Sequence, residues 1–137
     1  MRRILTFGVF DYFHLGHLRL FKQCKLHADY LIVAVQNGEF IKKFKPEAKV
    51  LYKTEERIEI LKELRVVDAV VVYDTVGIDA LEKIEDSIGF DILALGEDHI
   101  GARFDEIVDW CDKHGKKVVR LKRTPGIASS DIKRELS

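Results

Sequence analysis

ILTFGVFDYFHLGH, residues 4–17, is the stretch that decides how the rest of the chain is interpreted. The apolar run Ile4–Phe7 predicts a buried strand, and the amphipathic stretch from Leu18 predicts a helix. Between them lie a turn at Gly8 and two histidines, His14 and His17, at the helix start. A helix N-terminus attracts phosphate because its first N–H groups are unpaired and its dipole end is positive. This order of features predicts a site for polyphosphate.

Composition is that of an ordinary globular domain. The chain has 137 residues, 47% of them hydrophobic and 34% charged, which predicts a single domain spanning 1–137 with a sizeable core. Lys plus Arg and Asp plus Glu both number 23, so the formal net charge is zero. A nucleic-acid surface normally shows a basic excess, so we expect no nucleic-acid partner. No signal peptide or membrane span is recognisable, and a cytoplasmic location is expected.

The two cysteines, Cys24 and Cys111, are far apart and belong to no CxxC pair. This spacing favours buried free thiols in a reducing compartment over a disulfide or a metal site.

Short apolar runs alternate with helical patterns along the whole chain. The predicted strands are Ile4–Phe7, Tyr30–Val35, Ala69–Tyr73, Asp91–Leu95 and Lys117–Leu121. The predicted helices are Gly16–Leu26, Thr54–Leu64, Ile78–Ser87, Arg103–His114 and Ser130–Leu136. Val and Ile crowd the strand runs without strict alternation, as in strands buried on both faces. We therefore predict an α/β fold: a Rossmann-like, doubly wound, five-stranded parallel sheet with helices on both faces.

Ligands bind such sheets at the carboxyl ends of the strands. Residues 37–53 lack clear periodicity and are a candidate lid above that edge, with lysines at Lys42, Lys43, Lys45, Lys49 and Lys53. Thr54, followed by two glutamates, is the predicted cap of the next helix. Gly8 is predicted to leave room for a phosphate beside the backbone.

Two motifs at opposite ends of the chain carry a family resemblance. Residues 8–17, GVFDYFHLGH, resemble the signature of the HxGH nucleotidylyltransferases, and residues 123–130, RTPGIASS, resemble that superfamily's second motif in its cytidylyltransferase branch. The likeness covers nearly the whole chain and is greatest to members that act on glycerol 3-phosphate. It implies transfer of CMP from CTP to a small phosphate monoester, with release of pyrophosphate, for capsule, cell-wall or lipid precursors.

The resemblance also implies roles for individual residues. The implied catalytic residues, which stabilise charge on the phosphates, are His14, His17, Arg123 and Lys45. The implied nucleotide-binding residues are Thr6, Gly8, Val9, Phe10, Asp11, Gly16, Arg65, Gly96, Asp98, Thr124, Gly126, Ile127, Ser129 and Ser130. The implied contacts to the acceptor are Lys43, Lys45 and His17. Mg²⁺ is expected to arrive with CTP, no protein metal ligand is predicted, and a homodimer is implied.

Departures from the family pattern leave the acceptor open. Pro125, Ala128, Ser129 and Ser130 differ from the usual second motif, and Gly38 stands where an aspartate is common. A phosphorylated polyol, phosphoethanolamine and a phosphorylated amino-acid amide are therefore alternatives to glycerol 3-phosphate. An adenylyltransferase of the FAD synthetase or heptose-phosphate type, and a non-catalytic nucleotide-binding module, are alternative functions.

Two single residues also keep two interpretations each. Asp11 either orients a backbone loop or lies near the magnesium ion. His99 stands where the family often has tryptophan, and it either stacks on the ribose or base or caps the helix that begins near Arg103.

Overall fold

The computed structural model describes residues 1–10, 13–39 and 53–122. Its strands are β1 (Arg3–Gly8), β2 (Tyr30–Gln36), β3 (Ala69–Tyr73), β4 (Ile92–Gly96) and β5 (Lys117–Leu121). Its helices are α1 (Leu15–His27), α2 (Thr54–Lys62), α3 (Gly77–Ser87) and α4 (Ala102–Lys113). Every element predicted within these residues is present, with ends shifted by no more than two residues. The predicted helix Ser130–Leu136 lies outside the described residues.

The five strands form one sheet in the order β3-β2-β1-β4-β5, and every neighbouring pair is parallel. In the centre, Ile4 of β1 stands beside Leu31 of β2 on one side and Ile92 of β4 on the other. The direction of winding reverses between β1 and β4, which makes the carboxyl ends of these two strands the topological switch point. The predicted Rossmann-like sheet is confirmed.

Hydrophobic clusters cover both faces of the sheet. Ile4 and its neighbours pack with Phe21 of α1 and Leu61 of α2, whereas Leu5 faces the other way and packs with Leu81 of α3 and Trp110 of α4. The doubly wound arrangement predicted from the apolar strands is therefore present. No described helix is both long and apolar enough to cross a bilayer.

The start of α2 differs from the prediction. The cap residue is Lys53, whose backbone N–H donates to the Glu56 carboxylate at 2.9 Å, so the prediction of Thr54 as the cap is wrong. The Thr54 hydroxyl instead accepts a hydrogen bond from the Gly38 N–H at 2.9 Å. The beginning of α2 is thereby tied to the chain that leaves β2.

Both cysteines are free and fully buried, as predicted, and they lie on opposite faces of the sheet. Burial raises the pKa of Cys24 to about 12 and that of Cys111 to about 11. Because the thiolate is the reactive form, both groups are chemically inert in the folded state.

We expect neither thiol to react with a disulfide reagent such as Ellman's reagent until the protein is denatured, when two equivalents should react. Leu26 is 85% exposed at the end of α1, so Leu26→Cys supplies a matched accessible thiol on the helix that carries Cys24. If a native thiol reacts as fast as this added one, the placement of that cysteine in the core is contradicted.

Candidate active site

A cavity of about 260 Å³ opens at the carboxyl edge of the sheet. It lies where β1, β4 and β5 end and where α1 begins, and so it includes the topological switch point. The lining residues that the sequence predicted are Thr6, Gly8, Val9, Phe10, His14, Gly16, His17, Gly96 and Asp98. The structure therefore brings the first motif and the loop after β4 together in one place.

Arg65 is the predicted residue within the described ranges that does not line this cavity. Arg65 precedes β3, which places it at the amino edge of the parallel sheet, and its side chain is exposed. The structure does not bring it to the site. The predictions for Asp11, Lys43, Lys45, Arg123, Thr124, Gly126, Ile127, Ser129 and Ser130 lie outside the described residues. Lys122, which directly precedes the second motif, does line the cavity.

The turn after β1 is shaped by Phe10. Its backbone φ of 54° is in the left-handed region, a strained conformation for a residue with a bulky side chain. Its ring lies against Gly8, where an added Cβ would stand 3.2 Å from the Phe10 ring. A side chain at position 8 would therefore push against the Phe10 ring. The same ring packs edge-on against His17 at 5.5 Å between centroids.

Backbone groups orient both histidines at the start of α1. The Gly16 N–H donates to Nδ1 of His14 at 3.0 Å, and the His14 N–H donates to Nδ1 of His17 at 3.3 Å. The rings stack with centroids 4.0 Å apart. Since each Nδ1 is an acceptor, the proton of each neutral ring is on Nε2. The two neutral rings therefore carry their N–H groups on Nε2, in planes inclined by 20° to each other.

This arrangement changes the expected source of phosphate contacts. The sequence predicted unpaired N–H groups at the helix start, but the Gly16 N–H is already bonded to His14, which is the cap residue of α1. Each imidazole uses Nδ1 to accept a hydrogen bond from the backbone at the helix start, so the N–H of each neutral ring is on Nε2 rather than on the backbone side. Burial, with the charge of His14 adding to it, lowers the pKa of His17 to about 4.

A buried arginine supports this site, and the sequence analysis missed it. Arg57 of α2 is 1% exposed, and its Nη1 donates to the carbonyls of Val9 at 2.8 Å and of Gln36 at 2.9 Å. It holds the turn after β1 and the end of β2 against α2. The sequence did contain an indication of its burial: Arg57 is spaced four and seven residues from Leu61 and Leu64, which places it on the apolar face of that helix.

The loop after β4 forms the opposite wall of the cavity. The Gly96 N–H donates to Nδ1 of His99 at 3.0 Å, and the His99 ring stacks on Phe104 of α4 with centroids 4.9 Å apart. An added Cβ at Gly96 would stand 2.8 Å from the Asp98 carboxylate, so a side chain at this position would displace that carboxylate. Arg120 of β5, also missed by the sequence analysis, donates to the carbonyls of Gly96 and His99.

A doubly wound parallel sheet with a cavity at its switch point has the architecture of the α/β nucleotide-binding proteins. Within that class, the chain belongs to the cytidylyltransferase-like family, whose model matches residues 5–135.

Individual relatives agree with this membership. The chain is 36% identical to glycerol-3-phosphate cytidylyltransferase of Staphylococcus aureus, over 99% of this chain and 96% of that protein. It is 34% identical to the protein of the same name from Bacillus subtilis, over 100% of this chain and 98% of the relative. Among solved structures, a lipopolysaccharide core biosynthesis protein from Thermoplasma volcanium superimposes with a TM-score of 0.70 at 26% identity, covering 90% of this chain and 97% of that one.

The protonation of His17 can be measured directly. With a pKa near 4, its ring stays neutral as the pH falls from 8 to 5 and gains a proton only below that range. We expect the ring carbon resonance of His17 in the ligand-free protein to titrate with a midpoint near 4, and the spectrum of His17→Gln to assign it. A midpoint at the ordinary histidine value of about 6.5 would contradict the burial of the ring.

Arg57 and Arg65 form a matched pair for a stability test. Arg57→Met leaves two partly buried carbonyls without their donor, and we expect it to lower the free energy of unfolding by about 2–4 kcal/mol and to weaken nucleotide binding. Arg65→Met changes an exposed side chain at the far edge of the sheet and should alter neither property appreciably. Urea denaturation and calorimetric titration with CTP give the two readouts. Equal stability of the two variants would show that the Arg57 contacts contribute nothing.

Proposed function

We propose that the protein transfers the cytidylyl group of CTP to glycerol 3-phosphate, forming CDP-glycerol and pyrophosphate. One observation carries this proposal: two relatives named for that activity are 36% and 34% identical to this chain over at least 99% of its length. The cavity at the switch point supports it, since paired donors at a strand end suit the phosphates of a nucleotide.

In this reaction a phosphate oxygen of the acceptor attacks the α-phosphorus of CTP. The bond between that phosphorus and the oxygen bridging to the β-phosphate breaks, and pyrophosphate leaves with the electron pair. No covalent bond to the protein is needed, so the protein acts by positioning the reactants and stabilising charge. His14 and His17 would donate from Nε2 to the α- and β-phosphate oxygens, where negative charge increases in the transition state.

Mg²⁺ is proposed to accompany CTP. The described part of the chain contains no group of three or more His, Cys, Asp or Glu side chains placed to hold a metal ion. Among the predicted residues in that part, the carboxylate that lines the cavity is Asp98. These donors fit an ion carried mainly by the phosphates rather than one caged by protein. When bound, Mg²⁺ would neutralise part of the charge on the triphosphate.

The basic residues of the two remaining segments are proposed to complete the site. Lys43 and Lys45 would contact the acceptor phosphate, and Arg123 would span the β- and γ-phosphates as a fork of donors. The anchoring of the adjacent chain supports this, because the hydrogen bond between Gly38 and Thr54 holds both ends of 39–53 near the carboxyl end of β2, and Lys122 lies at the cavity. A cytoplasmic homodimer supplying precursors for surface polymers is part of the same proposal.

Pyrophosphate release tests the proposal most directly. The purified protein should release pyrophosphate with Mg²⁺, CTP and glycerol 3-phosphate together, and not when any of the three is omitted. Phosphoethanolamine and a phosphorylated polyol serve as competing acceptors, and ATP as the competing nucleotide. Release with CTP and a different acceptor would replace glycerol 3-phosphate in the proposal. Release with ATP alone, or with no pair, would overturn cytidylyl transfer.

The role of the histidine pair has its own test. His17→Ala removes one donor to the phosphates, and we expect turnover to fall about 100- to 1,000-fold with little change in the unfolding transition. His27, exposed at the end of α1, gives the matched control, since His27→Ala should keep full activity. Full activity in His17→Ala would remove His17 from the mechanism.

A further inference from the structure

The wall of the cavity opposite the histidine pair is available for the base of the nucleotide. His14 and His17 mark the phosphate end at the start of α1, while Asp98 and His99 line the side at the end of β4. A nucleotide that lies across the switch point with its phosphates at α1 would place its base against this second wall.

Contacts from its own loop, from α4 and from β5 fix His99 in place: two of them are made by the ring and one by the backbone. Within its own loop, Nδ1 accepts from the Gly96 N–H at 3.0 Å. On the α4 side, the ring stacks nearly parallel to Phe104, with an interplanar angle of 14°. From β5, the Arg120 guanidinium donates to the carbonyl of His99 and, at 3.2 Å, to that of Gly96. Such anchoring from several sides keeps a polar group in one orientation at little entropic cost on binding.

The fixed ring presents one kind of polar group. Because Nδ1 is used as an acceptor, the neutral ring carries its proton on Nε2, and no group within 1–10, 13–39 or 53–122 bonds that atom. Burial and the nearby Arg120 lower the pKa of His99, while Asp98 acts in the opposite direction. The Nε2 edge of the ring is therefore an N–H donor.

We propose that His99 determines the choice between cytosine and uracil, by donating from Nε2 to the base nitrogen N3. Asp98, on the same wall, provides an acceptor for the neighbouring exocyclic amino group. Cytosine matches this pair, with an acceptor at N3 and a donor at N4. Uracil reverses both groups, since its N3 carries a hydrogen and its position 4 carries an oxygen. This inference rests on the proposed function and adds the residue that selects the base.

Three substitutions separate the donor from the structural role of the ring. His99→Phe keeps the stack on Phe104 and removes both nitrogens. His99→Asn keeps an oxygen that can accept from the Gly96 N–H but does not extend to the position of Nε2. His99→Gln extends an amide N–H toward that position but gives up the acceptor for Gly96.

Calorimetric binding of CTP and of UTP, each with Mg²⁺, gives a readout that does not depend on turnover. We expect the wild-type protein to prefer CTP, and His99→Phe and His99→Asn to reduce that preference at least about tenfold, mainly by weakening CTP. His99→Gln should retain more of the preference than His99→Asn does. If His99→Asn binds both nucleotides as the wild type does, the ring serves the loop alone and the inference is overturned.

A matched control lies at the other end of α4. His114 stacks on Trp110 with centroids 4.1 Å apart, so His114→Phe makes the same chemical change in a similar aromatic pair away from the cavity, and the preference for CTP should remain.

The proposed function is judged first and separately: if the wild type binds neither nucleotide, or shows pyrophosphate release with ATP instead of CTP, the proposed function fails. If the wild type prefers CTP and all three His99 variants keep that preference, the inference about His99 alone fails.

Discussion

A buried guanidinium is the contact on which the site depends. Arg57 is almost fully enclosed and is bonded to carbonyls at the ends of β1 and β2. Val9 is the first residue after β1 and Gln36 is the last residue of β2, so both carbonyls lie at the carboxyl edge of the sheet, where the ladder of strand hydrogen bonds ends. The guanidinium therefore sets the turn after β1, and that turn places the Phe10 ring against His17. The geometry of the histidine pair begins with an arginine on a different helix.

The histidines have two uses that reinforce each other. As cap residue, His14 satisfies a backbone N–H of α1, and this same bond decides which ring nitrogen carries the proton. Uncharged donors have a particular advantage beside a triphosphate. Their hydrogen bonds become stronger as negative charge increases on the phosphate oxygens in the transition state, but they do not stabilise the bound substrate with a full ion pair. The low pKa of His17 keeps the ring in this state at neutral pH.

Local patterns in the sequence were sufficient to predict the strands of the sheet and to recognise the first motif. The apolar runs predicted every strand of the described sheet, and their alternation with helices predicted that the strands are parallel; the order of the strands came only from the structure. Contacts between distant residues were not accessible in this way. Arg57 is 48 residues from Val9 and 21 from Gln36, and no local pattern specifies such pairs. The Thr54 cap failed for the same reason, since the hydroxyl is engaged by Gly38. The edge of the sheet at which Arg65 lies, in contrast, could be predicted from the sequence, because a residue that precedes a parallel strand lies at the amino edge.

The hydrogen bond between Gly38 and Thr54 has a consequence for how this chain can change in length. It holds residues 38 and 54 together, so the chain on either side of residues 39–53 is fixed by a contact that this segment does not supply. In general, the cost of closing a flexible chain between fixed ends rises by only about 0.6 kcal/mol for each doubling of its length. An insertion between these two anchors need not displace the sheet, Arg57 or the histidine pair. Because Lys43 and Lys45, the proposed contacts to the acceptor, lie between the anchors, a change of length there is a route by which recognition of the acceptor can evolve without moving the histidine pair.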